Sequence, residues 1–183
     1  MKQNETTAPD DARFVCTTIL DEALIVRWND FHFRHIQTRS RWVSMACGMI
    51  IMIIGAVMFI MNLDQSSIDL LISALIALSG ALILFTAART PKMSQKRMKA
   101  RYAGDSRQYA FHARYLEVRS AAETAQCPYT RIKAVYVLKE GWYLYTFSNS
   151  AYIITRKGFS RGNAAGFDSF LHETFKDCIH QVS

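Results

Sequence analysis

The stretch that decides the fold is residues 42–61, WVSMACGMIIMIIGAVMFIM, which contains no charged side chain. A second stretch follows at residues 68–86, IDLLISALIALSGALILFT, whose single charge, Asp69, lies at its outer edge. At ~1.5 Å rise per residue, about 20 helical residues cross a hydrocarbon core ~30 Å thick. Both stretches reach that length, and neither has the polar stripe of a helix that borders a soluble core. The pattern predicts two transmembrane helices.

The connection between the two stretches has only six residues, Asn62 to Ser67. It is long enough only for a helical hairpin, so both chain ends lie on one side. Lysine and arginine flank the hairpin and are missing from its connection, and such residues favour the cytoplasmic side. The flanking residues are Arg27, Arg34, Arg39 and Arg41 before the hairpin, and Arg89, Lys92, Lys96, Arg97, Lys99 and Arg101 after it. We expect both termini in the cytoplasm.

The composition agrees with a membrane protein that has a soluble part. Half of the 183 residues are hydrophobic and 20% are charged, yet residues 42–63 and 70–88 have no charge at all. This segregation excludes a plain soluble globule, a disordered chain and a fibrous repeat. The first 41 residues are hydrophilic, so we expect the first apolar stretch to be an uncleaved anchor rather than a signal peptide. The cysteines have no C-x-x-C spacing, which indicates neither a zinc framework nor a secreted disulfide scaffold.

The polar parts of the chain predict three further segments. Residues 1–41 are expected to hold a short strand near 14–20 and a helix over 21–41. Residues 89–103 are expected to form a basic juxtamembrane helix. In residues 104–183, aromatic and branched runs alternate with short Gly or Asn turns, which is typical of an antiparallel meander. The runs are QYAFHARYLEVRS, RIKAVYVLK, WYLYTF and AYIITR.

A closing helix is expected to cover that meander. One face of the helix carries Phe167, Phe170, Leu171, Thr174 and Cys178. The strand near residues 14–20 is expected to complete the sheet, because proteins usually cover a free edge. The predicted fold is therefore α+β: a two-helix transmembrane hairpin over residues 42–88, and a small cytoplasmic antiparallel sheet capped by a C-terminal helix.

The order of these segments resembles the YcxB-like family of bacterial membrane proteins. The residues that carry the resemblance are Tyr129, Ile132, Val135, Tyr143, Leu144, Tyr145, Tyr152, Ile153, Ile154, Lys157, Phe159, Phe167, Phe170 and Leu171. Family members often have Pro before the basic residues of the last strand, where this chain has Thr155. The resemblance implies the bacterial cytoplasmic (inner) membrane and a C-terminal domain similar to pleckstrin-homology-like domains. It implies no defined activity.

The basic residues after the hairpin allow two interpretations. They can act only as a topology signal, or they can also contact anionic lipid, where each adds ~1 kcal/mol of attraction. The candidate lipid contacts are Lys92, Lys96, Arg97, Lys99 and Arg101. Small residues at spacing four, including Ser73, Ala77 and Ala81, allow close helix packing within the hairpin or between subunits. A homo-oligomer therefore stays open.

Catalytic and metal-binding patterns do not stand out. His172 and Glu173 are not followed by the second histidine of a zinc-protease motif. His32 and His35 supply two ligands, whereas a structural zinc site needs four. Residues 89–183 have 16 basic and seven acidic side chains, but six of the basic ones belong to the juxtamembrane run. We expect no catalysis, no metal or cofactor and no nucleic-acid partner.

Three functions remain as hypotheses. The first is a membrane-anchored interaction or regulatory module, whose sheet domain binds a protein partner or lipid headgroups. The second is an immunity-type or envelope-stress membrane protein. The third is an oligomeric pore or transport subunit, which the uncharged helix centres disfavour because conduction pathways usually need ionisable groups there. The first is our choice.

Overall fold

The computed structural model describes residues 11–63 and 66–182. It divides into two compact units. The first, here called the β unit, joins the chain up to Glu22 with the chain from Tyr102 onward, and the second, the helical unit, covers Ala23–Arg101. The α+β class predicted from the sequence is confirmed.

The elements in chain order are as follows. The helices are α1 (Glu22–Phe31), α2 (Thr38–Met61), α3 (Ser67–Tyr102) and α4 (Ala164–Thr174), with a π-helical turn at His32–Ile36 and a 3-10 turn at Tyr129–Arg131. The strands are β1 (Phe14–Ile19), β2 (Ser106–Phe111), β3 (Tyr115–Arg119), β4 (Thr124–Pro128), β5 (Ile132–Val137), β6 (Gly141–Thr146), β7 (Ala151–Thr155), β8 (Phe159–Arg161) and β9 (Ile179–Gln181).

The β unit contains two sheets where the sequence predicted one. Their strand orders are β4-β3-β2-β1-β8 and β7-β6-β5-β9. The antiparallel arrangement and the C-terminal helix are confirmed, except that β9 runs parallel to β5. The second sheet arises because the chain changes sheet between β4 and β5, which no local pattern marks. Strands β8 and β9 were missed because they have three residues each. Their pairing partners, rather than their own patterns, decide that they are strands.

Strand β1 occupies an interior position in the first sheet, as the sequence predicted for residues near 14–20. It pairs antiparallel with β2 from Phe14 opposite Phe111 to Ile19 opposite Ser106. On its other side it pairs with β8. Two neighbouring residues, Val15 and Cys16, are fully buried although they point to opposite faces of the sheet. The N-terminal strand is therefore part of the domain core.

Helix α4 supplies the aromatic centre of that core. Its first turn is capped by Asn163, whose side chain accepts a hydrogen bond from the Gly166 N–H at 2.7 Å. The ring of Phe167 lies 4.7 Å from Phe111 and 4.9 Å from Trp142, centroid to centroid. The two contacts are steeply inclined, a geometry worth ~0.5–1.5 kcal/mol per pair beyond area burial. One helical side chain thus joins both sheets.

The closing helix is shorter than the sequence predicted. It ends at Thr174, so Cys178 does not lie on its apolar face and does not share a helix with His180. The carbonyl of Cys178 instead accepts a hydrogen bond from the Val135 N–H at 2.8 Å. The backbone at Cys178 thus begins a pairing with β5 that continues directly into β9. The local sequence does not reveal that this segment pairs with β5, so the prediction extended the helix to Cys178.

Helices α2 and α3 form the predicted hairpin. Close contacts pair Gly55 with Ala77, and Gly48 with Gly80. The Asn62 side chain donates to the Ser73 hydroxyl at 3.1 Å. Residue numbers rise along one helix as they fall along the other, so the helices are antiparallel. The predicted connection, residues 62–67, lies partly outside the described residues.

Glycines in both helices allow this close packing. A Cβ atom at Gly55 would lie 2.3 Å from the Ala77 backbone nitrogen, and one at Gly80 would lie 2.5 Å from that of Met52. Both neighbours are backbone atoms, so a larger side chain would force the helices apart. The buried small residues of α3 are Ser73 and Gly80, whereas Ala81 of the expected row is exposed. This is packing within one hairpin, one of the two alternatives that the sequence allowed.

Helix α3 continues without interruption from the apolar stretch into the basic one. The sequence predicted a separate helix over residues 89–103, but α3 runs through Pro91 to Tyr102. Gly104 follows with φ +84°, a left-handed conformation common just after a helix end. Its N–H donates to the Leu20 carbonyl at 2.9 Å. The basic residues therefore stand on a helical extension of the second apolar stretch.

Candidate functional site

The five predicted lipid-contact residues all lie on the last three turns of α3. Four are exposed and Lys99 is half-buried. At about 100° per residue, Lys92, Lys96 and Lys99 share one stripe of the helix with Arg89. The remaining two, Arg97 and Arg101, lie on a different face, roughly 140° away from the first stripe. The structure thus separates the five residues into two groups.

The face that carries Arg97 contains an open cavity of about 390 Å³. Its lining residues are Thr90, Met93, Ser94, Arg97 and Met98. These positions follow i, i+3, i+4, i+7 and i+8 spacing, which places them on one side of a helix. Two hydroxyls, one guanidinium and two thioether side chains therefore border the same space. A polar anion with an apolar part matches that combination of groups.

The two ends of the hairpin differ in charge. Extrapolating the contact pairs along the two helices places Arg41 of α2 at the level of Arg89 and Thr90 of α3. The guanidinium of Arg89 lies 4.1 Å from the Phe85 ring centroid. At the far end, Ser73 donates to the Asp69 carbonyl at 2.8 Å, and residues 42–88 contain no lysine or arginine. Positive charge is confined to one end.

The neighbouring helix α1 contacts α3 where the basic extension begins. The buried side-chain amide of Asn29 donates to the Pro91 carbonyl at 3.2 Å. Pro91 has no N–H, so the helix loses one backbone hydrogen bond at this position. The Asn29 contact gives α3 a polar tie to α1 beside this position.

His32 and His35, the predicted two-ligand pair, have separate surroundings. The His32 ring stacks on Trp28 at 5.3 Å, and the His35 ring stacks on Phe31 at 4.5 Å. Burial lowers the pKa of His32 below its ordinary value. Within residues 11–63 and 66–182, no group of three or more metal-ligating side chains comes together.

A buried histidine in the β unit was not singled out from the sequence. The Nδ1 atom of His112 lies 3.0 Å from the Asp11 carboxylate, and its Nε2 atom lies 3.7 Å from the Glu117 carboxylate. The ring of Tyr115 stacks on the imidazole at 4.4 Å. Glu117 also forms an ion pair with Arg119. The hairpin between β2 and β3 brings His112, Tyr115 and Glu117 together, whereas Asp11 comes from the segment before β1, so no local motif reveals the cluster.

A second polar cluster links β6, β7 and α4. The Trp142 indole N–H donates to Asp168 Oδ1 at 2.6 Å, and Arg156 Nη1 donates to Asp168 Oδ2 at 2.9 Å. The guanidinium carbon of Arg156 lies 4.5 Å from the Trp142 ring centroid. Its second terminal nitrogen donates to the Leu138 carbonyl at 3.3 Å. Because Trp142 is fully buried, this cluster serves the fold.

Three buried groups of the β unit, the Cys16 thiol and the phenols of Tyr109 and Tyr129, have raised pKa values and stay protonated near neutral pH. Burial raises the pKa of Cys16 to about 11, and that of Tyr109 to about 12. Burial also raises the pKa of Tyr129. A thiol is a weak nucleophile until it loses its proton. Cys16 is therefore unsuited to nucleophilic chemistry in the folded state.

Comparison with known protein families gives a match. Residues 111–171 match the model of the YcxB-like protein family, which confirms the resemblance predicted from the sequence. The matched segment begins at the last residue of β2, ends within α4 and includes Trp142, Arg156 and Asp168. No curated protein and no solved structure matches the chain.

Proposed function

Starting from this YcxB-like match, we propose that the chain is a membrane-anchored interaction or regulatory module. In this proposal α2 and α3 cross the bacterial inner membrane, both termini are cytoplasmic, and the β unit binds a protein partner without catalysing a reaction. The family match itself supplies no activity.

The apolar surface of α2 and α3 is the observation that carries the proposal. Both helices are long and apolar enough to cross a membrane, with mean hydropathy 2.5 and 2.4 over their most apolar 18 residues, of which only 11% and 17% are buried. Trp42 is 68% exposed, and Ile60 is 67% exposed. Leaving such surface in water costs roughly 25 cal/mol per Å². A bilayer removes that cost.

Charge supports the orientation of the hairpin. The basic end holds Arg39, Arg41, Arg89 and Lys92, and the other end holds Asp69. Lysine and arginine concentrate on the cytoplasmic side of membrane proteins. The β unit is continuous in sequence with this basic end, before Ala23 and after Arg101, so the proposal assigns it to the cytoplasm.

An interaction role is favoured over catalysis by the internal pairing of polar groups in the β unit. The carboxylates of Asp105, Glu117 and Asp168 each contact an arginine. The proposed pleckstrin-homology-like character of this unit also suits a binding role. The tight glycine contacts between α2 and α3 disfavour a conduction pathway inside one hairpin.

Reporter fusions test the membrane part of the proposal. A reporter that is active only in the cytoplasm is fused before residue 11, after Leu63 and after the last residue. We expect activity at both ends and none after Leu63. Activity after Leu63 would contradict the hairpin topology.

Affinity purification tests the interaction part. The full chain and a chain ending at Tyr102 are purified from the native membrane after cross-linking. We expect a stoichiometric protein that accompanies the full chain only. A protein recovered equally with both chains would assign the interaction to the hairpin instead of the β unit.

A further inference from the structure

The cavity on α3 has a chemistry that the general attraction of basic residues to membranes does not explain. It combines the Arg97 guanidinium with the hydroxyls of Thr90 and Ser94, and it adds the apolar side chains of Met93 and Met98. We propose that this cavity binds the phosphate of an anionic phospholipid. The inference rests on the proposed membrane insertion of α3.

The position of the cavity along α3 fits the headgroup layer. The apolar part of α3 ends at Ala88, and residues 68–88 rise about 31 Å, enough to fill the hydrocarbon core. Each headgroup layer adds roughly 5–7 Å. Along a helix parallel to the bilayer normal, Thr90 begins about 3 Å beyond the core, Ser94 about 9 Å and Arg97 about 13 Å. The backbone of the cavity therefore starts in the headgroup layer at Thr90 and ends about 6–8 Å beyond it at Arg97.

Side-chain direction brings Arg97 back toward the membrane. In an α-helix the Cα–Cβ bonds tilt toward the N-terminus. In the proposed arrangement, the N-terminus of α3 lies across the bilayer from the basic segment. Every side chain of the extension thus leans toward the bilayer. A long arginine side chain near a helix end reaches the interface in this way. Arg101, on nearly the same face, begins about 6 Å farther out.

The polar lining of the cavity suits the phosphate diester of a lipid headgroup. A guanidinium offers paired N–H donors that match two phosphate oxygens. Ser94 adds a hydroxyl group below it, whereas the Thr90 hydroxyl donates to the Thr86 carbonyl at 2.7 Å. On the same scale Met93 begins about 8 Å and Met98 about 15 Å beyond the core, so these flexible side chains border the headgroup rather than the acyl chains. Lys92 and Lys96, on the other stripe, add general attraction without bordering the cavity.

The two methionines allow a site-specific test on the full chain in neutral detergent micelles. Their ε-methyl groups are labelled with ¹³C, and the remaining methionines of the chain report on the hairpin. The protein is titrated with short-chain phosphatidylglycerol, with short-chain phosphatidylcholine and with inorganic phosphate. We expect a saturable shift of the Met93 and Met98 methyl signals with phosphatidylglycerol alone.

Three variants separate a built site from general charge. Arg97→Gln should weaken the phosphatidylglycerol affinity about tenfold or more, whereas Arg101→Gln, which removes the same charge one turn farther out, should change it less than about twofold. Arg97→Lys should fall between them, because it keeps the charge and loses the paired donors. Unchanged signals of the other methionines confirm that each variant is folded.

Several results would overturn the inference. Equal loss in the two glutamine variants would indicate general electrostatic attraction, and the absence of a saturable shift would indicate no site. An equal response to inorganic phosphate would assign the cavity to a free anion rather than a lipid. The reporter fusions read topology independently of these signals, so failure of the lipid site and failure of membrane insertion are distinguishable.

Discussion

The indole N–H of Trp142 donates to the carboxylate of Asp168 at 2.6 Å, and this bond joins strand β6 to helix α4 across the core. The same carboxylate receives a guanidinium N–H of Arg156 at 2.9 Å. Asp168 is about one-third exposed, whereas the indole is fully buried. The carboxylate therefore satisfies a donor that water does not reach in the folded state.

The first prediction concerns this carboxylate. Asp168→Ala should lower the free energy of unfolding by about 2–3 kcal/mol, because it leaves a buried N–H without its acceptor. Asp168→Asn should cost less, since its amide oxygen can still accept from the indole. Urea denaturation of the full chain in micelles, followed by near-ultraviolet circular dichroism, measures both. Glu173→Gln, an exposed position on the same helix, is the control and should change little.

The second prediction concerns strand β1. Val15→Asp should unfold the β unit, because it buries a carboxylate with no partner at a fully buried position; losses above about 4 kcal/mol are typical of such changes. Ile19→Asp lies on the same face of the strand but is 63% exposed, so it should be tolerated. Limited proteolysis compares the protease resistance of residues 104–182 in the two variants. Equal resistance of the two variants would show that β1 is dispensable.

The sequence predicted the parts of the fold that have strong local patterns. Uncharged stretches of about 20 residues indicated α2 and the first part of α3, and the aromatic runs indicated β2, β3, β5, β6 and β7. Strand β1 was also predicted, because a meander without it would keep a free edge. These features depend on composition and periodicity, which a single chain displays directly.

The remainder depends on partners that are distant in the sequence. Strand β8 pairs with β1, more than 140 residues earlier in the chain, and β9 pairs with β5. The Trp142–Asp168 bond and the His112 cluster likewise arise from sheet register and helix docking. The basic residues were identified from the sequence, but their division between two faces follows from the continuity of α3 through Pro91. A proline normally suggests a helix boundary there.

The third prediction concerns the packing of the hairpin. Gly80→Val should destabilise it by about 1–3 kcal/mol, as overpacking commonly does, because a Cβ atom there would meet the backbone of Met52. Ala81→Val, at the adjacent exposed position, should have little effect. Thermal unfolding of both variants in micelles, followed by the helical circular dichroism signal, compares them. If Ala81→Val were the more damaging change, the small-residue row would instead face another subunit.

The last prediction concerns alkaline pH and the buried thiol of Cys16. Burial raises its pKa from 9.0 to about 11, and hydrogen bonding to Thr18 and Thr155 offsets this only in part. Above pH 9 the unfolded chain releases the thiol proton while the folded chain keeps it, so stability falls as pH rises from 9 toward 11. At ~1.4 kcal/mol for each pKa unit, the thiol accounts for about 2–3 kcal/mol of that fall.

Urea denaturation between pH 8.5 and 11 should show a shallower pH dependence for Cys16→Ala than for the unchanged chain. Cys47→Ala, which removes an exposed thiol from α2, is the matched control and should keep the full dependence. Identical slopes for all three proteins would mean that the Cys16 thiol does not contribute to the alkaline loss of stability.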